Sequence, residues 1–322
     1  MVQKLREAGL EVRVFSGGKA ASFLVASGVE VEDLVDGPSP AVSGGEMKRA
    51  SVWYLRSWLA LKRSSKATEA LARSFGPDLV VCDEEFSGMV MARKLGLRSV
   101  LVSDELELGF AKGWLAKAIE KRVDTWYKDV QLSAEAVLVP DFGRDAGNVR
   151  YVEPIVRKVT KTRSEVFQEV GLPESAKMVL FSMSGSGIGD YLLKACAKAL
   201  PDAGVEGARL VVTGNRKRVL PPSAGKELGV VMDNQNFVAA ADLVVSTAGK
   251  STIDEAASCG TPVIAVPIRN HSEQERNAAP LGFTADDAER LAPLIRERTG
   301  RRGPAKSYAG AENAAKLIAS LA

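Results

Sequence analysis

Two stretches of this chain join glycine to hydroxyl-bearing residues directly behind an apolar run. Residues 183–190 read MSGSGIGD after KMVLFS, and residues 246–262 read STAGKSTIDEAASCGTP after ADLVV. Glycine lets a backbone come close to an anion, and the start of a following helix offers unpaired N–H groups at the positive end of its dipole. Both stretches suit a phosphate or diphosphate, with Gly185, Ser186 and Gly187 in the first and Gly249, Lys250, Ser251 and Thr252 in the second. Neither is a standard nucleotide loop. The first spaces its glycines G-x-G-x-G, not G-x-G-x-x-G. The second contains GKST, but position 244, where a P-loop needs its first glycine, is Val. A tight strand-to-helix turn is the plain alternative for the first, and helix-end capping by Ser251 with Glu255 for the second.

Other residues could complete such a site. Glu255 follows Ser251 by four positions, one turn down the same helix face, where a carboxylate can accept from a ribose diol. Lys250 could neutralise phosphate or simply be solvated. The segment NHSEQERNA (270–278) follows the run PVIAVPI and sets Glu273, Gln274 and Asn277 near one another at a helix start. Amides and carboxylates there suit sugar hydroxyls. His271, the one histidine of the chain, falls in the same loop, as a pocket member or as a structural residue. In the first half, three apolar runs close on an acid: Asp83, Asp104 and Asp141. A carboxylate whose pKa is raised by burial can take the proton of an attacking hydroxyl. An Asx turn or helix cap is the commoner use of such a residue. Asp83 and Asp104 are kept as candidate bases, and the DEE at 83–85 is no metal motif.

The elements that must position these residues alternate strand and helix. Short continuous apolar runs, of the kind buried on both faces of a parallel sheet, stand at 11–18, 78–84, 99–105, 136–141 and 149–155. A second set stands at 177–187, 208–215, 229–233, 242–249 and 262–268, and helical patterns include 47–75, 86–95, 188–199, 251–259 and 306–322. The expected fold class is α/β with two doubly wound, Rossmann-like parallel sheets facing a cleft. The expected domains are 1–156 and 177–322, joined by a polar linker at 157–176. Ligands of such sheets bind beyond the carboxyl ends of the strands, where the residues singled out above lie.

Composition narrows the class. Of 322 residues, 46% are hydrophobic and 26% charged, as in a globular protein. Net charge is +3, too slight to imply nucleic acid. No apolar run reaches the roughly 20 residues of a membrane span. The start, VQKLREAGL, has a helical pattern and not that of a signal peptide. Three separated cysteines form no disulfide framework and fit a reducing cytoplasm, and a single histidine excludes multi-histidine metal sites. The segment 47–66 carries six basic residues and no acidic one, mixed with Trp53, Tyr54 and Trp58. It reads either as a core-facing helix with a basic outer face or as a peripheral contact with an anionic membrane.

The stretch ADLVVSTAGKSTIDEAASCGTPVIAVPIRNHSEQERNA (241–278) resembles the C-terminal signature of the family-28 glycosyltransferases, a GT-B family that includes the MurG-like transferases. The glycine loop at 183–189, the crossover YVEPIVR (151–157) and the terminal helix YAGAENAAKLI (308–318) are similar to the family's as well. The resemblance implies an inverting transfer of a sugar, N-acetylglucosamine or another hexose, from a UDP-sugar to a hydroxyl acceptor, with no metal and no cofactor. It implies that the 185–187 loop and Ser251–Thr252 hold the diphosphate, that Glu255 takes the ribose, that the backbone near Met232 and Asp233 reads the uracil, and that Gln274 meets the sugar. A lipid-linked acceptor at the inner face of the membrane would suit the MurG-like members. This chain departs from the family at Thr247, often Arg, and at Glu273, often Gln, which leaves the sugar open. Family members also begin with a strand and a glycine-rich loop, whereas this sequence starts at the pattern of the first helix. A nucleotide-sugar 2-epimerase and a non-catalytic UDP-sugar-binding partner subunit are the alternative readings.

Overall fold

The structure, a computed structural model, describes residues 1–34, 41–43, 46–48, 50–104, 114–183, 189–214 and 219–322. The chain divides into two units. One comprises Met1–Ala41, Arg49–Ile155 and Tyr308–Ala322, the other Val42–Lys48 and Val156–Ser307.

The first unit runs α1 (Val2–Glu7), β1 (Phe15–Gly17), α2 (Gly18–Ala26) and β2 (Glu32–Leu34). The pair β3 (Ala41–Ser43) and β4 (Glu46–Lys48) falls, beyond Ala41, to the second unit, and the first continues with α3 (Ala50–Phe75), β5 (Leu79–Asp83), α4 (Phe86–Leu95), β6 (Arg98–Val102), α5 (Trp114–Ser133), β7 (Ala136–Val139) and β8 (Val149–Tyr151). Strands β5 to β8 pair in sequence order as a parallel sheet, while β1 and β2 pair parallel in a sheet of their own. Side chains alternate across a strand. Accordingly Val100, Val102, Ala136 and Leu138 pack to one face, and Cys82, Leu101 and Val137 pack with Met89 and Val130 to the other.

The second unit holds α6 (Arg163–Val170), β9 (Lys177–Ser182), α7 (Asp190–Asp202), β10 (Ala208–Thr213), β11 (Lys226–Glu227), α8 (Asn234–Ala240), β12 (Leu243–Ser246), α9 (Lys250–Cys259), β13 (Val263–Ala265), α10 (Ser272–Ala278) and α11 (Leu291–Arg298). Its five strands are parallel in the order β11-β10-β9-β12-β13. Met178, Leu180, Val211 and Val244 face Phe167, Phe237 and Ala256, while Val179, Phe181, Leu210 and Val245 face Leu192, Leu193 and Ile295. Burial on both faces is why these strands read as unbroken apolar runs. The chain winds outward from β9 to β11, then returns to β12 on the other side. In sheets of this kind ligands bind beyond the strand ends at such a reversal, here the ends of β9 and β12.

Three expectations are revised. Residues 157–176 are not a free linker, because they contain α6, whose Val166, Phe167 and Val170 are buried in the second unit's core. Thr162 and Glu165 cap that helix reciprocally. The run at 229–233 is not a strand. Gly229 is left-handed at φ 75°, and its carbonyl takes the N–H of Gly214, which ends the pairing started at Lys226–Glu227. The last helix, α12 (Gly310–Leu321), belongs to the first unit and not to a 177–322 domain. Its Ala314, Ala315 and Ile318 stripe covers the face of Val100 and Leu138 beside Leu5. Small residues let the helix lie close, and Gly310 packs directly on the carbonyls of Glu153 and Pro154. The Glu153 carboxylate accepts the Ala309 N–H at 2.9 Å.

Candidate functional site

The loop after β12 enters α9 through a strained turn. Ala248 has φ 60°, a left-handed conformation that costs a non-glycine residue energy and is kept where the surroundings enforce it. Its N–H donates to Ser246 Oγ at 3.3 Å, and its carbonyl accepts from Asn277 Nδ2 at 3.2 Å. Asn277 thus braces the turn. Gly249 is the N-cap of α9 and no side chain caps it. The N–H groups of Ser251 and Thr252 in the first turn therefore have no partner within the helix and none from a capping side chain. Lys250 Nζ pairs with Asp254 at 2.7 and 2.9 Å, so its charge is already engaged. The N-cap of α7, Gly189, likewise has no side-chain cap. A Cβ there would stand 3.3 Å from the Thr247 methyl, so the chain before α7 borders the loop after β12. Gly185, Ser186 and Gly187 lie outside the described residues.

One turn into α9, the Glu255 side chain is only 4% exposed. Its two oxygens accept from Arg157 Nε at 2.8 Å and Nη2 at 3.3 Å, and Arg157 Nη1 donates to the Met232 carbonyl at 3.1 Å. One guanidinium thus joins the two groups that the family resemblance implies for ribose and base. Bidentate arginine–carboxylate pairs are strong and orientationally strict. The Arg157 side chain is 40% exposed, so it approaches the buried acid from solvent.

Helix α10 follows β13 through Asn270, also left-handed at φ 66°. The Gln274 carboxamide is buried, and its Oε1 accepts the Ile268 N–H at 3.0 Å. That bond ties the end of the β13 run to the helix. Burial holds the His271 imidazole below its ordinary pKa, with Glu275 opposing and Arg276 reinforcing the shift. The ring is therefore neutral at pH 7, and its Nδ1 lies 3.9 Å from the Glu273 carboxylate.

In the first unit, three successive acids close β5 and divide their work. Glu85 caps α4 by accepting from Ser87 and Gly88 at 3.1 and 2.8 Å. Glu84, left-handed at φ 52°, accepts the Asp104 N–H at 3.0 Å. Capping is thus done by Glu85, not by Asp83. The neighbouring atoms shield the Asp83 carboxyl although the residue as a whole is open to solvent. Burial pushes that carboxyl above the usual carboxylate range, the chain's amino group opposes this, and Asp104 adds to it. The Asp141 Oδ1 accepts the N–H of the adjacent Phe142 at 2.7 Å.

Sequence reasoning missed Arg157 and a polar chain at the strand ends. Thr213 Oγ1 donates to Asn234 Oδ1 at 2.6 Å, and Asn234 Nδ2 donates to Ser182 Oγ at 3.1 Å. The signal for Ser182 and Thr213 was present, since each is a hydroxyl closing an apolar run. Arg157 gave no local signal, because its partners are 75 and 98 positions away.

Comparison with known proteins bears on this arrangement. Residues 223–288 match the glycosyltransferase family 28 C-terminal domain. An uncharacterized glycosyltransferase of Methanopyrus kandleri is 25% identical over 278 residues, covering 79% of this chain and 78% of its own. A UDP-N-acetylglucosamine--N-acetylmuramyl-(pentapeptide) pyrophosphoryl-undecaprenol N-acetylglucosamine transferase of Nocardia farcinica is 30% identical over 241 residues, covering 66% of this chain and 61% of its own. Among solved structures, Spinosyn Rhamnosyltransferase SpnG complexed with spinosyn aglycone has a TM-score of 0.63 at 17% identity, covering 99% of this chain and 90% of its own. Arabidopsis thaliana UGT89C1 complexed with quercetin has a TM-score of 0.65 at 13% identity, covering 99% and 94%.

Proposed function

We propose that this chain, a glycosyltransferase whose residues 223–288 match the family 28 C-terminal domain, moves a hexose, N-acetylglucosamine or a relative, from a UDP-sugar to a hydroxyl acceptor with inversion. The observation that carries the donor assignment is the buried Glu255 carboxylate one turn behind the uncapped N-terminus of α9. A ribose diol satisfies the acid while the diphosphate meets the N–H groups of Ser251 and Thr252. Met232 offers its carbonyl to the base, and Gln274, Glu273 and His271 lie toward the sugar. In this reading no metal takes part. Charge on the departing diphosphate is met by the helix start and the glycine loop at 185–187. Inversion follows from a single displacement, with the acceptor hydroxyl deprotonated by a base on the first unit. Asp83 fits that role better than Asp104, because its carboxyl is freed from capping and its proton affinity is raised.

For the acceptor we propose a lipid-linked molecule. Helix α3 leaves Val52, Leu55, Trp58 and Leu59 exposed along one stripe, 45 to 59% open. Arg56, Lys62, Arg63 and Lys66 interleave with it, and Lys62 Nζ lies 3.7 Å over the Trp58 ring. Apolar and cationic residues on one helix suit the surface of an anionic bilayer. Among the described residues no helix is long and apolar enough to cross a membrane.

A turnover assay with UDP-N-acetylglucosamine and polyprenyl-diphosphate acceptors tests the reading. Acceptor-dependent UDP release that persists in EDTA supports it. Epimerised donor without acceptor, or donor binding without turnover, would replace it by the corresponding alternative.

A further inference from the structure

We propose that Arg157 is an internal stand-in for the donor's nucleoside: its guanidinium fills the hydrogen-bonding positions of Glu255 and Met232, and the nucleoside binds by exchanging with it. This rests on the assignment of Glu255 to the ribose. Three guanidinium N–H groups meet three acceptor atoms, the two Glu255 oxygens and the Met232 carbonyl. A uridine also presents three donors, its two ribose hydroxyls and the N3–H of the base. Arginine and ligand therefore compete for one set of acceptors.

The burial of the pair favours exchange over simple opening. Glu255 is almost wholly buried, so withdrawing its partner leaves a desolvated charge uncompensated, which is costly. The Arg157 side chain is already 40% exposed, so its own departure costs less than that of a buried cation. The latch thus holds until another set of donors reaches Glu255. A molecule that lacks a diol cannot replace it. Arg157 then acts as a positioning residue, holding the Glu255 carboxylate oriented, and as a specificity-determining one.

A tethered competitor lowers apparent affinity by the fraction of time it holds the site. Uridine is the suitable probe, since it carries no phosphate with which Arg157 could pair. Calorimetry on the full chain should show Arg157→Met binding uridine at least about threefold more tightly than the wild type, with Arg157→Lys in between. Raising salt screens the ion pair. Uridine affinity of the wild type should therefore climb with salt, and that of Arg157→Met should stay level. Thermal unfolding confirms that both variants are folded. Equal or weaker uridine binding by folded Arg157→Met and Arg157→Lys would overturn the exchange. If Glu255→Ala leaves uridine affinity unchanged in both the wild-type and Arg157→Met backgrounds, the ribose assignment itself fails, and the exchange with it.

Discussion

Truncating Glu255 to Ala separates a nucleotide-binding carboxylate from a structural one. Each hydrogen bond to a charged group contributes about 1.5–3 kcal/mol. A ribose diol makes two to Glu255, and binding breaks the two that Arg157 makes in the protein alone. Arg157 is 40% exposed and returns to water on release, so its bonds count for the smaller amount. With the ribose bonds to the buried Glu255 taken in the upper half of that range, about 2.2–3 kcal/mol each, and the arginine bonds at about 1.5 kcal/mol each, the net loss in Glu255→Ala is about 1.4–3 kcal/mol, or roughly 10- to 150-fold in UDP affinity. Stability should change little, because the same substitution deletes a buried charge and frees a half-solvated arginine. Asp254→Asn, one residue earlier on the helix, is the matched control. Asp254 pairs with Lys250, and releasing that lysine beside the start of α9 should leave UDP affinity equal or higher. Calorimetry with UDP, paired with thermal unfolding, reads both quantities. If Glu255→Ala binds UDP within about twofold of the wild type, the argument from the buried carboxylate is wrong.

Three further outcomes follow from particular residues. Gly214 is left-handed at φ 85°, and a Cβ there would collide with the Met183 carbonyl oxygen at the start of the glycine loop. Gly214→Ala should lower stability by about 2 kcal/mol or more and weaken UDP binding, as thermal unfolding and calorimetry would show. A base must be deprotonated to act, and the Asp83 carboxyl holds its proton to a higher pH than an ordinary aspartate. The acid limb of kcat/KM should therefore lie above the usual carboxylate range and vanish, with most of the rate, in Asp83→Asn. The folded state binds that proton more tightly than the unfolded chain, so stability falls as pH rises through the raised pKa, and Asn removes the fall. Flotation with anionic liposomes at low salt should carry the wild type upward and fail for Leu55→Ser/Trp58→Ser; a wild type that stays at the bottom refutes the surface role of α3.

The sequence by itself determined the strand–helix alternation, the two larger parallel sheets and the loops to which the donor site is assigned. Strands buried on both faces must be apolar throughout, and the ligand-bearing end of such a sheet must carry the glycines, hydroxyls and acids that interrupt the pattern. Runs such as KMVLFS and DLVVS, with Gly249, Ser251 and Glu255 behind them, are therefore visible without coordinates. The tertiary structure decided what depends on neighbours distant in sequence. A helix pattern such as 306–322 gives a buried face but not the sheet it covers, and α12 closes the first unit because its alanine stripe fits beside Leu5. A carboxylate at a strand end can cap or react, and only the positions of Glu84 and Glu85 show which acids cap. The partner of Glu255 stands 98 residues before it, at the end of the crossover YVEPIVR, whose pattern does not say what its arginine meets. Local pattern follows from backbone geometry and burial, which act over a few residues. Electrostatic pairing follows from three-dimensional proximity, which the spacing of residues along the chain does not contain.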